Sequence, residues 1–83
     1  MLLCKVTGSV ISTRKNEKLT GCKFLIVQPL KQSETFVAVD NIGAGVGETV
    51  LVTRGSGARY ALSQEIPVDA AIVGIVDEGT YPA

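Results

Sequence analysis

The residues of this chain that could do chemistry are few and scattered. Gly43, Gly45 and Gly47 fall in the run NIGAGVGE, which begins at Asn41 and ends at Glu48. Glycine-rich loops cradle phosphates when they carry G-x-G-x-x-G at a strand-to-helix turn, or a P-loop ending in Gly-Lys-Ser/Thr. Here the glycines alternate, Glu48 stands where the dinucleotide pattern places its third glycine, and strand-like sequence follows instead of a helix. No Gly-Lys-Ser/Thr ending is present. The run reads as a tight structural loop whose glycines permit positive φ or the close approach of another backbone. By that reading Gly45→Val is expected to obstruct it.

Acid–base, metal and thiol chemistry are poorly provided for. The chain has no histidine, the commonest general base and metal ligand near neutral pH. Asp40, Glu48, Glu65, Asp69 and Asp77 are spread along the sequence and read as solvated or structurally paired carboxylates. Cys4 and Cys22 have no visible activating neighbour. The expectation is a protein that is not an enzyme, with no catalytic residue, no cofactor and no metal.

Composition points the same way. Eight basic and eight acidic side chains cancel, so the chain lacks the charge that draws proteins to phosphate backbones or anionic lipid. The N-terminal MLLCKVTG reaches Lys5 too soon for a signal sequence, and no apolar run approaches the roughly 20 residues of a membrane span. Two cysteines allow one pair, too sparse for a stapled secreted scaffold, and read as buried thiols in a reducing, cytoplasmic setting. With 83 residues the chain has room for one domain over residues 1–83, and its 46% hydrophobic content exceeds what so small a core can use. Apolar surface is expected to be buried between subunits.

The elements that must position these residues are strands. Residues 2–13 alternate, with Leu2, Cys4, Val6 and Val10 assigned to one face and Lys5, Thr7 and Ser9 to the other. Gly8 marks a bulge or bend there. Residues 14–18, RKNEK, form a solvated loop. Residues 22–30 are apolar on both faces and end near Pro29, residues 35–40 form a third strand, and residues 48–53 a fourth. Residues 55–64 hold a short helix capped by Ser56, weakened by Gly55 and Gly57. Residues 70–76 form a fifth strand buried on both sides, and the tail from residue 78 is expected to be loose. Five short strands and one brief helix predict an all-β class: a small five-stranded OB-like barrel with one short helix.

The segments GSVISTRK, LTGCKFLIV, VAVDNIGAGVGETVLV, GSGAR and PVDAAIVGIVD occur in the order seen in vertex proteins of carboxysomes and metabolosomes. Over residues 2–77 the chain resembles the bacterial microcompartment vertex (pentamer) protein family, of ethanolamine-utilisation and carboxysome type. That resemblance implies an OB-like barrel assembled head to tail into a homo-oligomer, a pentamer, with a narrow central opening. It also implies a structural role, closing a polyhedral shell in the cytoplasm beside hexameric shell proteins. Carried onto this sequence, it implies subunit contacts shaped by Asp40, Asn41, Gly43, Gly45, Gly47, Glu48, Gly55, Ser56 and Arg59, with Arg59 pairing across the interface with a carboxylate such as Glu48 or Asp40. Thr13, Arg14 and Lys15 are assigned to a polar loop that either faces neighbouring hexamers or is simply solvated. Gly57 departs from the serine of many relatives, and the tail is shorter than in several.

The rival reading, resting on strand count, is an OB-like nucleic-acid-binding module. Such a module needs a basic groove with aromatic stacking platforms. Phe24, Phe36, Tyr60 and Tyr81 are the only aromatics and are not interleaved with basic residues, so packing roles are preferred and no nucleic-acid or membrane partner is expected.

Overall fold

The computed structural model describes residues 1–62 and 65–81. Strand β1 (Leu2–Val10) pairs antiparallel with β2 (Lys23–Pro29) on one side and β4 (Thr49–Arg54) on the other. β2 pairs with β3 (Phe36–Asp40), and β4 with β5 (Ala70–Ile75), both antiparallel. A short parallel seam, Val39 opposite Ala71 and Asp40 opposite Ile72, closes the barrel in the order β1-β2-β3-β5-β4. Helix α1 (Gly57–Ala61) lies between β4 and β5 in sequence and packs against both. A single 3-10 turn, Glu17–Leu19, interrupts the β1–β2 connection. The five-stranded barrel and its one short α-helix are as expected.

The period-2 pattern fills the interior. Cys4 and Val6, Leu25 and Val27, Ala38, Val50 and Val52, Ala70 and Ile72 are buried together, with Leu2 and Phe36 packed beside them. Each fully buried Val, Leu or Ile contributes about 1.5–3 kcal/mol relative to an exposed one. Ala44 joins this cluster from the glycine loop.

Gly8 does mark a bulge. Val6 opposes Val27 and Gly8 opposes Ile26, leaving Thr7 as the extra residue. One inserted residue reverses the faces beyond it. Val10 therefore sits opposite Phe24 on the outer face, not on the core face with Cys4 and Val6. Both faces of β2 are apolar, as read, but one chain covers only the inner one fully. Phe24 and Ile26 are half-buried, and Val37, opposite Ile26, is 46% exposed. On β5, Ala70, Ala71 and Ile72 are buried whereas Ile75 is exposed.

Two local expectations need correction. Ser56 occupies the N-cap position of α1 but its backbone is helical and its side chain makes no capping bond. The turn into the helix is held instead by Gly55, at φ +70°, whose N–H donates to the Asp69 carbonyl at 2.7 Å. Gly57 does not abolish the helix; a Cβ there would lie 3.0 Å from Thr53 Oγ1, so the small residue lets α1 approach β4. The tail is not loose as far as Tyr81: Thr80 N–H donates to the Asp77 carbonyl, and the Tyr81 hydroxyl lies 3.1 Å from Thr49 Oγ1. Residues 82 and 83 of the expected tail, and residues 63 and 64 of the stretch expected to hold the helix, lie outside the described residues.

Candidate subunit interface

The glycine loop bridges β3 and β4 and is anchored at three places. At its start, the Asp40 side chain is 1% exposed and accepts three backbone N–H groups. Oδ1 takes Ile42 at 3.1 Å; Oδ2 takes Gly43 at 3.2 Å and Ala44 at 2.9 Å. A buried carboxylate needs such compensation. The Lys23 ammonium, opposite Asp40 across the β2–β3 pair, lies 3.6 Å from Oδ2 and donates to the Ala44 carbonyl at 2.6 Å.

In the middle, the Ala44 methyl is fully buried in the core. At its end, the loop joins β1 through a bulge. Gly47 N–H donates to the Val6 carbonyl and Val6 N–H to the Glu48 carbonyl, each at 2.9 Å, so two residues oppose one. A bulge of this kind places its first residue in the left-handed region, and Gly47 has φ +94°. Gly43, at φ +92°, is the second such position in the loop. Gly45 is not one. Its φ is not positive, and a Cβ there would meet only Glu48 Oε1 at 3.5 Å, an ordinary contact. The expectation that Gly45 carries the conformational demand is thus transferred to Gly43 and Gly47.

Glu48 precedes β4 instead of opening it. Its Oε1 accepts the Gly45 N–H at 2.7 Å, which closes the turn further. Asn41 is exposed. Between the anchors two apolar side chains face outward: Ile42, 44% exposed, and Val46, 64% exposed.

The other group of expected interface residues lies beyond the far end of β4. Gly55, Ser56 and Arg59 line a shallow hollow with Pro67, Val68 and Asp69. Arg59 is exposed and makes no ion pair among the described residues, and Tyr60 beside it is 84% exposed. Six strand residues, roughly 20 Å at 3.3 Å each, separate this end from the glycine loop. The structure therefore does not bring the two groups together within one chain. It also removes Asp40 as a partner for Arg59, because that carboxylate is enclosed by its own loop.

Thr13, Arg14 and Lys15 are exposed on the β1–β2 connection. Their contacts are local: Ser12 Oγ donates to the Arg14 carbonyl at 2.8 Å, and the Lys15 ammonium donates to the Ser12 carbonyl. The two thiols are free. Burial pushes the Cys4 thiol pKa above its ordinary value, against a smaller opposing pull from Arg54. Cys22 is only partly buried, which corrects its reading as a buried thiol. Among the described residues, no group of three or more His, Cys, Asp or Glu side chains could hold a metal ion, and no helix is long and apolar enough to cross a membrane.

Sequence reasoning missed Lys23, Ile42, Val46 and Tyr60. The apolar loop residues were visible in NIGAGVGE, but their exposure depends on which loop residue the core takes up.

A loop held by several hydrogen bonds and presenting apolar side chains, on a barrel that leaves its outer face half covered, suits an assembling subunit. Residues 1–77 match the family model described as ethanolamine utilisation protein EutN/carboxysome. The chain belongs to the EutN/CcmL family. It is 49% identical to the carboxysome shell vertex protein CcmL of Synechococcus elongatus, over 93% of this chain and 84% of that one. It is also 49% identical to the bacterial microcompartment shell vertex protein GrpN of Rhodospirillum rubrum, covering 93% of each. Among solved structures it resembles the GrpN pentameric microcompartment shell protein (TM-score 0.84, 49% identity, 93% of this chain and 95% of that one). It also resembles the pentameric shell protein MSM0273 from the RMM microcompartment (TM-score 0.88, 38% identity, all of both chains).

Proposed function

We infer that this chain is a structural shell protein that forms a pentameric ring and caps the vertices of a bacterial microcompartment. The observation that carries the reading is the family match over residues 1–77, with relatives named as vertex proteins and as pentameric shell proteins. The whole of residues 1–83 serves as one vertex-like barrel domain. The role is geometric: fivefold units supply the curvature that flat hexagonal facets lack, so the subunit works beside hexameric shell proteins and needs no turnover, cofactor or metal.

A ring built head to tail uses two different patches of each subunit, and closes when their relation is a fivefold rotation. The two groups at opposite ends of β4 fit that requirement. Ile42, Val46 and Glu48, with Asn41 and the loop glycines, form one patch. Gly55, Ser56, Arg59 and Tyr60 form the other. Glu48, acidic, and Arg59, a cation without an ion-pair partner among the described residues, are complementary, and their pairing between neighbours orients one patch on the other. Thr13, Arg14 and Lys15 are exposed on the β1–β2 connection, whose Asn16 and Lys18 line a hollow with Arg59, and they are the residues we assign to contact with hexameric tiles.

Light scattering on the isolated protein tests the assembly. The expected mass is about five times the 8.7 kDa subunit. A stable monomer at micromolar concentration would sink the vertex reading. Charge reversal then tests the pairing: Arg59→Glu is expected to weaken the ring, and Glu48→Arg in the same chain to restore part of it.

A further inference from the structure

We propose that Asp40 is an assembly-positioning residue: by caging residues 42–44 it presets the glycine loop as an apolar plug that a second copy of this chain receives beside Tyr60 and Arg59. The proposal rests on the ring reading above and deepens it.

The geometry is unusual for a surface loop. Exposed loops are ordinarily polar and loosely held, since their backbone groups are satisfied by water. This one has its N–H groups at residues 42, 43 and 44 turned inward onto one buried carboxylate, Ala44 sunk in the core, and Gly47 locked to Val6. The inward turn leaves Ile42 and Val46 outside. Ordering a loop during association opposes binding, and a loop already ordered avoids that cost. The barrel interior does not need Asp40 for packing, because it is filled by aliphatic side chains from all five strands and by Ala44.

The occupant is a second copy because the complementary features are on this same chain. The plug carries Glu48 and two aliphatic tips. The far end of β4 carries Arg59 without an ion-pair partner among the described residues, and Tyr60, 84% exposed. Tyr and Arg are the side chains most enriched at the energetic centres of interfaces. The ends of one β4 lie roughly 20 Å apart, so Glu48 meets Arg59 only in another copy; within the chain Arg59 shares its hollows with Asp69 and Glu65 without forming an ion pair among the described residues.

Asp40→Asn keeps the shape of the side chain but replaces one accepting oxygen by an NH2 group that faces N–H donors. The expected result is a folded barrel by circular dichroism, with faster hydrogen exchange at residues 42–44 and unchanged protection in β1, β2 and β4. The concentration at which rings dissociate should rise at least tenfold. Val46→Asp, at the exposed tip, changes no contact within the subunit and should raise that concentration at least as much; Lys23→Met should raise it about threefold. Wild-type rings together with Asp40→Asn or Val46→Asp rings of unchanged concentration dependence would overturn the plug and leave the vertex reading intact. A wild-type monomer would overturn both. Should Asp40→Asn not fold, the Val46→Asp and Lys23→Met results decide the matter in the same way.

Discussion

Two connections leave this barrel and differ in what holds them. The β1–β2 connection, residues 11–22, is secured by neighbours in sequence: Asn16 caps its single 3-10 turn, and Ser12, Arg14 and Lys15 bond among themselves. The β3–β4 connection, residues 41–48, has local bonds to Asp40 and Glu48 but is also secured by partners far along the chain, namely Lys23 on β2, Val6 on β1 and the core around Ala44. Charge and polarity mark the first as a solvated surface, although Ile11 within it is 90% exposed. The second is apolar and glycine-rich yet more firmly anchored. A loop's composition alone does not tell how tightly it is held; that depends on whether its backbone groups find partners in the barrel or in water.

This contrast can be broken in order of expected effect. Asp40→Ala orphans three N–H groups and should cost about 3 kcal/mol of stability, since each unsatisfied buried group costs about 1–3 kcal/mol. Chemical denaturation measures it, and a loss under 1 kcal/mol would show that water replaces the carboxylate freely. Next, Gly47→Val places a β-branched residue at positive φ and should cost roughly 1–3 kcal/mol, whereas Gly45→Val should cost clearly less. Equal losses from the two would contradict the assignment of strain to Gly47. Tyr81→Phe removes the contact with Thr49 and should cost about 1 kcal/mol. Finally, Arg14→Ala and Lys15→Ala should change stability by less than about 0.5 kcal/mol, because these are exposed side chains with local contacts.

The two cysteines extend the contrast to pH. Cys22, at the end of the β1–β2 connection, should be alkylated in the native protein, and Cys4 only on unfolding. Because burial raises the Cys4 pKa in the folded state, the thiol stays neutral there while the unfolded chain ionises near the ordinary value of 9.0. Its contribution to stability is complete below pH 9.0 and is lost as pH rises above it toward the folded-state pKa. Cys4→Ala should abolish that alkaline slope; the same slope in the variant would assign it to other groups.

How far the sequence could be read varied with how local the deciding interaction was. Alternation located β1, and short apolar or β-branched runs located the other four strands; Gly8 announced its bulge. The consequence of that bulge for Val10 was missed, because the face of a residue beyond a bulge depends on where the partner strand resumes pairing. Ser56 had the right chemistry and position for a cap, but Gly55 and the Asp69 carbonyl set the turn instead. Asp40 read as an interface carboxylate; only the folded loop turned it inward.

Taken by itself, the sequence determined the strand pattern, the apolar interior, the absence of histidine and the motif series that marks the family, since these follow from residue type, period and order. The tertiary structure alone decided which glycines carry positive φ, which carboxylate is enclosed and which apolar side chains stay outside. Those outcomes depend on closure of the barrel, which brings Val6 and Lys23 to a loop some 20 or more residues away in the chain, where three N–H groups, one carboxylate and one buried methyl can be satisfied together only with Ile42 and Val46 facing out.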